Sequence, residues 1–126
     1  MEPKYKERLL QVCRVLRELP RKKRFSLETW YKCGTVGCAI GWAATDPWFK
    51  RRGFKLRPFR VSTLLLFPGQ YQPIYKNEFG LDAVQIFFGL NDIEARDLFF
   101  AMSYKRGTKN DVIRRVEAFA KAETQR

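Results

Sequence analysis

Histidine is missing altogether from the 126 residues, and much enzyme chemistry goes with it. Without an imidazole there is no Ser–His or Cys–His nucleophile pair, no histidine general base and no Cys/His zinc site. Cysteine is scarce. Cys13, Cys33 and Cys38 form an odd set, and their spacing matches neither zinc nor iron–sulfur ligation. Three cysteines, with a charged amphipathic start in place of a signal peptide, predict a reducing, cytoplasmic setting. A Cys33–Cys38 bridge is disfavoured there. No apolar run approaches the roughly 18 residues that a membrane helix needs, so no membrane partner is expected. Acidic side chains are the minority, with 13 Asp and Glu against 25 Lys and Arg. The expectation is a non-enzymatic protein with no catalytic residues, metal or cofactor.

What is abundant is apolar and cationic. A hydrophobic content of 45%, with 15% aromatic, is enough for one globular domain over 1–126. The net charge of +12 speaks about partners rather than fold. It points to a polyanion, either nucleotide or nucleic acid, or to an acidic protein surface. The charge is uneven. Residues 1–32 carry ten basic and four acidic side chains, and 50–60 carry six basic and none acidic. Residues 61–104 reverse the sign, with two basic against five acidic, and 105–126 return to seven against three. A basic side and a mildly acidic side follow.

Between Lys32 and Asp46 there is no charge at all. This stretch, Cys33 to Ala44, is the densest run of small residues. Thr35 as N-cap and Pro47, which pushes Asp46 out of the α region, predict a short buried helix over 36–45. Gly37 and Gly41 lie one turn apart and open a stripe for a backbone or a flat ring. Each glycine costs about 1 kcal/mol against alanine in a helix, so the space should be used, as a pocket or as a packing seam.

Helical periodicity also predicts a first helix through Tyr5, Leu9, Val12, Cys13 and Leu16, ended by Pro20. Leu81–Phe88 reads as a helix stopped by Gly89. Asn91 and Glu94 form a capping box for a helix to about Met102, burying Ile93, Ala95, Leu98, Phe99 and Met102. Thr108 and Asp111 repeat the device for a last helix through Val112, Val116, Phe119 and Ala120. Residues 54–57 and 63–67 suggest a small two-stranded β-ribbon, closed by Pro68-Gly69, with a loop from Gln70 to Phe79. The expected fold is α+β and mostly helical, with about five helices and that ribbon. Val84–Leu98 has helix-turn-helix form, but Asp92, Glu94 and Asp97 on its second helix oppose a phosphate backbone. It reads as structural pairing.

The candidate anion-binding residues are Arg21, Lys22, Lys23, Arg24 and Lys32, then Lys50, Arg51, Arg52, Lys55, Arg57 and Arg60. Thr35 and Gly37 at the expected helix start would add backbone N–H groups for a phosphate. Trp30, Trp42 and Trp48 stand among these cations as candidate stacking rings, since single-stranded nucleic acid calls for cations and ring faces together. The first functional expectation is a binder of a phosphate-bearing ligand, nucleotide or single-stranded nucleic acid. The second is an inhibitor that docks its basic face on a host protein complex. A third class is a thiol enzyme using Cys33, just ahead of a helix start where thiol pKa values fall.

Cys33 to Trp42 reads Cys-Gly-Thr-x-x-Cys-x-x-Gly-Trp, preceded by Phe25-x-x-x-x-Trp30 and followed by Gly89-Leu90-x-x-x-x-Ala95-x-x-Leu98-Phe99. In these motifs, which span about half of the chain, it resembles a group of small bacterial and phage proteins. The resemblance implies phage or mobile-element origin, hence the host cytoplasm, and no particular activity. By analogy with other small basic phage proteins, it also implies a counter-defence role: binding a host defence complex, its nucleic acid or its nucleotide messenger.

Overall fold

The four long helices follow from caps and periodicity. In the computed structural model, which describes residues 1–32, 34–60 and 66–124 (the side chains of 59–60, 66–68 and 123–124 excepted), α1 runs Pro3–Arg17. Its proline occupies the first turn, and Leu9, Val12, Cys13, Val15 and Leu16 are buried. The other three, numbered here by their place in the chain, are α4 (Gly80–Phe88), α5 (Asp92–Phe99) and α6 (Lys109–Thr124). Gly89 ends α4 at φ +65°, the left-handed conformation that glycine adopts without a Cβ penalty. Asn91 Oδ1 accepts from the Glu94 N–H at 2.8 Å, while Glu94 Oε1 accepts from the Asn91 N–H at 3.0 Å. Thr108 and Asp111 make the same reciprocal pair at 3.2 Å each way.

One expectation fails at the end of α5. Phe100 leaves the helical path with φ −99° and ψ 143°, and a single 3-10 turn, Ala101–Ser103, follows. Its ring lies edge-on against Trp30, centroids 5.9 Å apart. Met102 is thereby carried outward to 98% exposure, and Ile93 on the first turn is 70% exposed. Neither is core, although the helical spacing placed both there.

The middle of the chain departs further from expectation. Gly37 does not lie in a helix. Arg24–Phe25 (β1), Tyr31–Lys32 (β2) and Val36–Gly37 (β3) are two-residue strands, and the buried helix α2 is the shorter Ala39–Thr45. It is capped by Cys38 and not by Thr35. After α2, Asp46 accepts from the Trp48 N–H at 3.0 Å and starts a one-turn helix α3, Pro47–Lys50. Then come β4 (Lys55–Arg60), β5 (Leu66–Tyr75) and β6 (Glu78–Phe79). β4 and β5 do pair, but not as the expected ribbon: Lys55, Leu56 and Arg57 lie opposite Ile74, Pro73 and Gln72 rather than 63–67, of which 63–65 lie outside the described residues. The pair is part of a six-stranded sheet of order β1-β3-β2-β5-β4, with β6 on β5. Pro68-Gly69 is not a stop, and the stretch read as a loop from Gln70 is mostly strand. Gly69 at φ +77° lets the strand pass through that point.

The result is an α+β fold with α2 and α4 on one face of the sheet. Phe54 and Tyr75 from that face meet Phe87 of α4, with ring centroids 4.6 and 5.0 Å apart. Phe49 and Phe88 close the cluster, both fully buried. Each such ring contributes roughly 1.5–3 kcal/mol on burial. Among the described residues no charged side chain is buried, and no helix is long and apolar enough to cross a membrane.

Candidate nucleic-acid interface

Strand registers decide which side chains share the face of the sheet that no helix covers. Directly opposed residues point to the same side, and alternate residues to opposite sides. Arg24 pairs with Val36, Val36 with Lys32, and Lys32 with Gln70, giving one row across four strands. Gln72 pairs with Arg57, and Ile74 with both Lys55 and Phe79, so these belong to the same side. Arg24, Lys32, Lys55 and Phe79 are exposed, and Gln70, Gln72 and Arg57 half-buried. The Arg57 guanidinium lies 4.2 Å from the centre of the Phe79 ring, a cation on an aromatic face at the sheet surface. Among the described residues this face carries no carboxylate.

Four of the cations singled out from sequence therefore come together on one surface. Others sit at its two rims by chain continuity: Arg21–Lys23 lead directly into edge strand β1, and Lys50–Arg52 into β4 at the opposite edge. Lys23 turns its ammonium toward the Trp42 ring, 5.4 Å from its centre. Arg60 closes β4, and its side chain is outside the described atoms, as is Cys33.

The other half of the expected site does not form. Thr35 lies in the β2–β3 turn, its N–H donating to Lys32 O at 3.1 Å and its carbonyl accepting from Arg24 N at 2.7 Å. Gly37 is buried in β3. At the true start of α2, Cys38 N–H donates to Thr29 O and Trp30 O at 3.1 and 3.2 Å, and its thiol points to Trp30 O at 3.6 Å. A Cβ on Gly41 would stand 1.6 Å from that same Trp30 oxygen, and one on Gly37 would stand 3.0 Å from it. The glycine stripe is a packing seam filled by the Trp30 carbonyl, so no phosphate enters there. Burial pushes the Cys38 thiol up to about 11, and the Cys13 thiol likewise. Both are protonated at neutral pH.

The three tryptophans part company. Trp42 is 1% exposed, its Nε1 donating to Arg24 O at 2.9 Å and Tyr31 edge-on at 5.2 Å. It holds β1 to the core and offers no face to a base. Trp48 is half-buried, and the Arg52 guanidinium covers it at 3.6 Å. Trp30 is half-buried and lines a groove of about 410 Å³ with Leu27, Tyr71, Phe100 and Met102. A second, polar cleft of about 640 Å³ lies at the start of α6. There Arg115 is already engaged by Ser103 O at 2.6 Å and Asp97 O at 2.9 Å. Arg114 pairs with Asp111, whose carboxyl is held low chiefly by its hydrogen bonds to Thr108.

Gln70, Gln72 and Phe79 were missed in sequence because their segment read as a loop. The signal was present. Gln70, Gln72 and Ile74 alternate with Tyr71, Pro73 and Tyr75, a period of two that the flanking prolines and glycine masked. No protein-family model, no curated protein and no solved structure matches the chain.

Proposed function

We propose that the chain is a non-enzymatic binder of single-stranded nucleic acid, held along the open face of the sheet. The observation that carries this reading is that Arg24, Lys32, Lys55 and Arg57 share one face of the sheet, with Phe79 beside Arg57 and no carboxylate there among the described residues. Arg24, Lys32 and Arg57 stand on strands two apart, hence at intervals of roughly 10 Å, and span roughly 19 Å in all. That length suits several consecutive phosphates better than one nucleotide. Phe79 is an exposed ring on this face, and base stacking on such a ring tolerates any sequence.

Fluorescence anisotropy with labelled oligothymidylate tests the reading. Four phosphate contacts give a log–log salt slope near about −3, from about −0.7 per contact on single strands. Absent binding at about 50 mM salt, or binding indifferent to salt, rejects it. If the same face docks on an acidic protein surface instead, a pull-down from host lysate keeps its partner after nuclease treatment while oligothymidylate fails to bind. The binding reading does not depend on the counter-defence setting that the motif resemblance implies.

A further inference from the structure

The aromatic groove beside the sheet has no role in binding a phosphate row. It opens where the 27–30 loop, β5 and the Ala101–Ser103 turn meet, and at about 410 Å³ it falls within the range of small-ligand pockets. Trp30, Tyr71 and Phe100 supply rings, and Met102 stands at the mouth, 98% exposed. A thioether left in water next to aromatic rings is an adaptable apolar flap for a flat ligand. Gln70 belongs both to the groove wall and to the cationic row, where it lies opposite Lys32. The backbone of the groove wall at Gln70 is therefore about one strand spacing, roughly 5 Å, from that of Lys32 in the cationic row.

Among the groove residues Glu28 alone is charged. It is exposed, and its carboxylate makes no ion pair or hydrogen bond to the described residues. A carboxylate turns phosphate away, so an anionic ligand enters base first and leaves its phosphate outside the groove. An ionised carboxylate also only accepts hydrogen bonds. Guanine presents N1–H and N2–H₂ side by side, a match for two carboxylate oxygens. Adenine and cytosine place a ring-nitrogen acceptor next to their amino group, and thymine offers one N–H between two carbonyls. We propose that the groove is a nucleobase pocket selective for guanine, reading one base of a strand laid along the sheet.

This inference rests on the sheet-face reading, and one experiment separates the two. Affinities are measured for oligothymidylate of twelve nucleotides and for the same strand with one central deoxyguanosine, deoxyadenosine or deoxycytidine. Deoxyguanosine is expected to bind about tenfold tighter than the other two substitutions, the scale of a good bidentate base contact. Glu28→Gln removes most of that advantage and leaves plain oligothymidylate within about twofold; Met102→Ala reduces it without touching the carboxylate. Both side chains are exposed, so folding is not at stake. Equal affinity for all substituted strands, with salt-dependent binding intact, overturns the pocket and spares the sheet face. A guanine preference that survives both variants overturns the assignment to this groove. Failure of every strand to bind removes the sheet-face reading and the pocket with it.

Discussion

The open face of the sheet and the seam between Trp30 and α2 began as one expected anion site, and they behave as opposites. On the face, Arg24, Lys32, Lys55 and Arg57 project from the sheet with no carboxylate beside them among the described residues. In the seam, Gly37 and Gly41 leave their space to a carbonyl oxygen, which Cys38 N–H satisfies. A gap in side-chain volume is filled by the nearest backbone group that needs a partner, because a buried unpaired carbonyl costs about 1–3 kcal/mol. A row of cations has no such remedy inside the protein and must wait for an anion outside it. Changes in the seam should therefore act on stability, and changes on the face on binding.

The largest effect is expected from Gly41→Ala. Its methyl would stand 1.6 Å from Trp30 O, a backbone atom that cannot swing aside. Moving it tears the Cys38 bonds, so a loss of at least about 3 kcal/mol is expected. Thermal unfolding should show a midpoint lower by roughly 10 °C or more. A variant as stable as the parent would mean that Trp30 does not occupy the seam.

The seam should also have an alkaline signature. Burial raises Cys38 from an ordinary value of 9.0 to about 11. Above pH 9 the unfolded chain sheds this proton while the native state keeps it, so stability falls as pH rises and levels off above 11. Cys13 titrates over the same range. Each thiol accounts for roughly 3 kcal/mol across that window. Denaturant titrations between pH 8 and 10, below the range where the half-buried Tyr104 and Tyr31 hydroxyls add to the decline, should show it, and Cys38→Ala should reduce its slope by about half.

Charge reversal on the face should separate cleanly from both. Lys32→Glu and Arg57→Glu are each expected to weaken oligothymidylate binding roughly tenfold at low salt and to flatten the salt slope by about 0.7. Lys32→Glu should move unfolding by no more than about 0.5 kcal/mol, the usual range for surface positions, and Arg57→Glu by about 1 kcal/mol, since it also loses the Phe79 ring contact. Arg114→Glu, at the start of α6 and away from this face, serves as the control and should leave binding unchanged.

How much of this was legible in the sequence depended on the length of each element. α1, α4 and α6 announced themselves through repeated apolar spacing and stop or cap residues such as Gly89, Thr108 and Asp111. The strands at 24–25, 31–32 and 36–37 are two residues each, too short for any period to register. Their pairing is fixed by partners distant in sequence, as Lys32 is by Gln70. β5 hid behind Pro68, Gly69 and Pro73, residues that ordinarily punctuate a chain. The cationic clusters were plain from composition, yet only the registers put Arg24 and Arg57 on one side. Trp42 misled for a related reason: its neighbours in sequence are small and uncharged, but its indole N–H is taken by Arg24 O.

Gly37 gives the smallest effect and the sharpest division between the two regions. Its added Cβ would meet Trp30 O at 3.0 Å and Tyr31 Cδ2 at 3.2 Å, contacts that a few tenths of an ångström of movement would relieve. Gly37→Ala should therefore lower stability by only about 1 kcal/mol, the mild end of overpacking, and still fold. If the backbone at Gly37 held a phosphate, the methyl would block it, and oligothymidylate affinity would drop tenfold or more. If the seam is sealed and the anion lies on the face, affinity and salt slope should both match the parent. Small destabilisation with unchanged binding would place the two functions on separate surfaces; lost binding in a folded variant would reunite them.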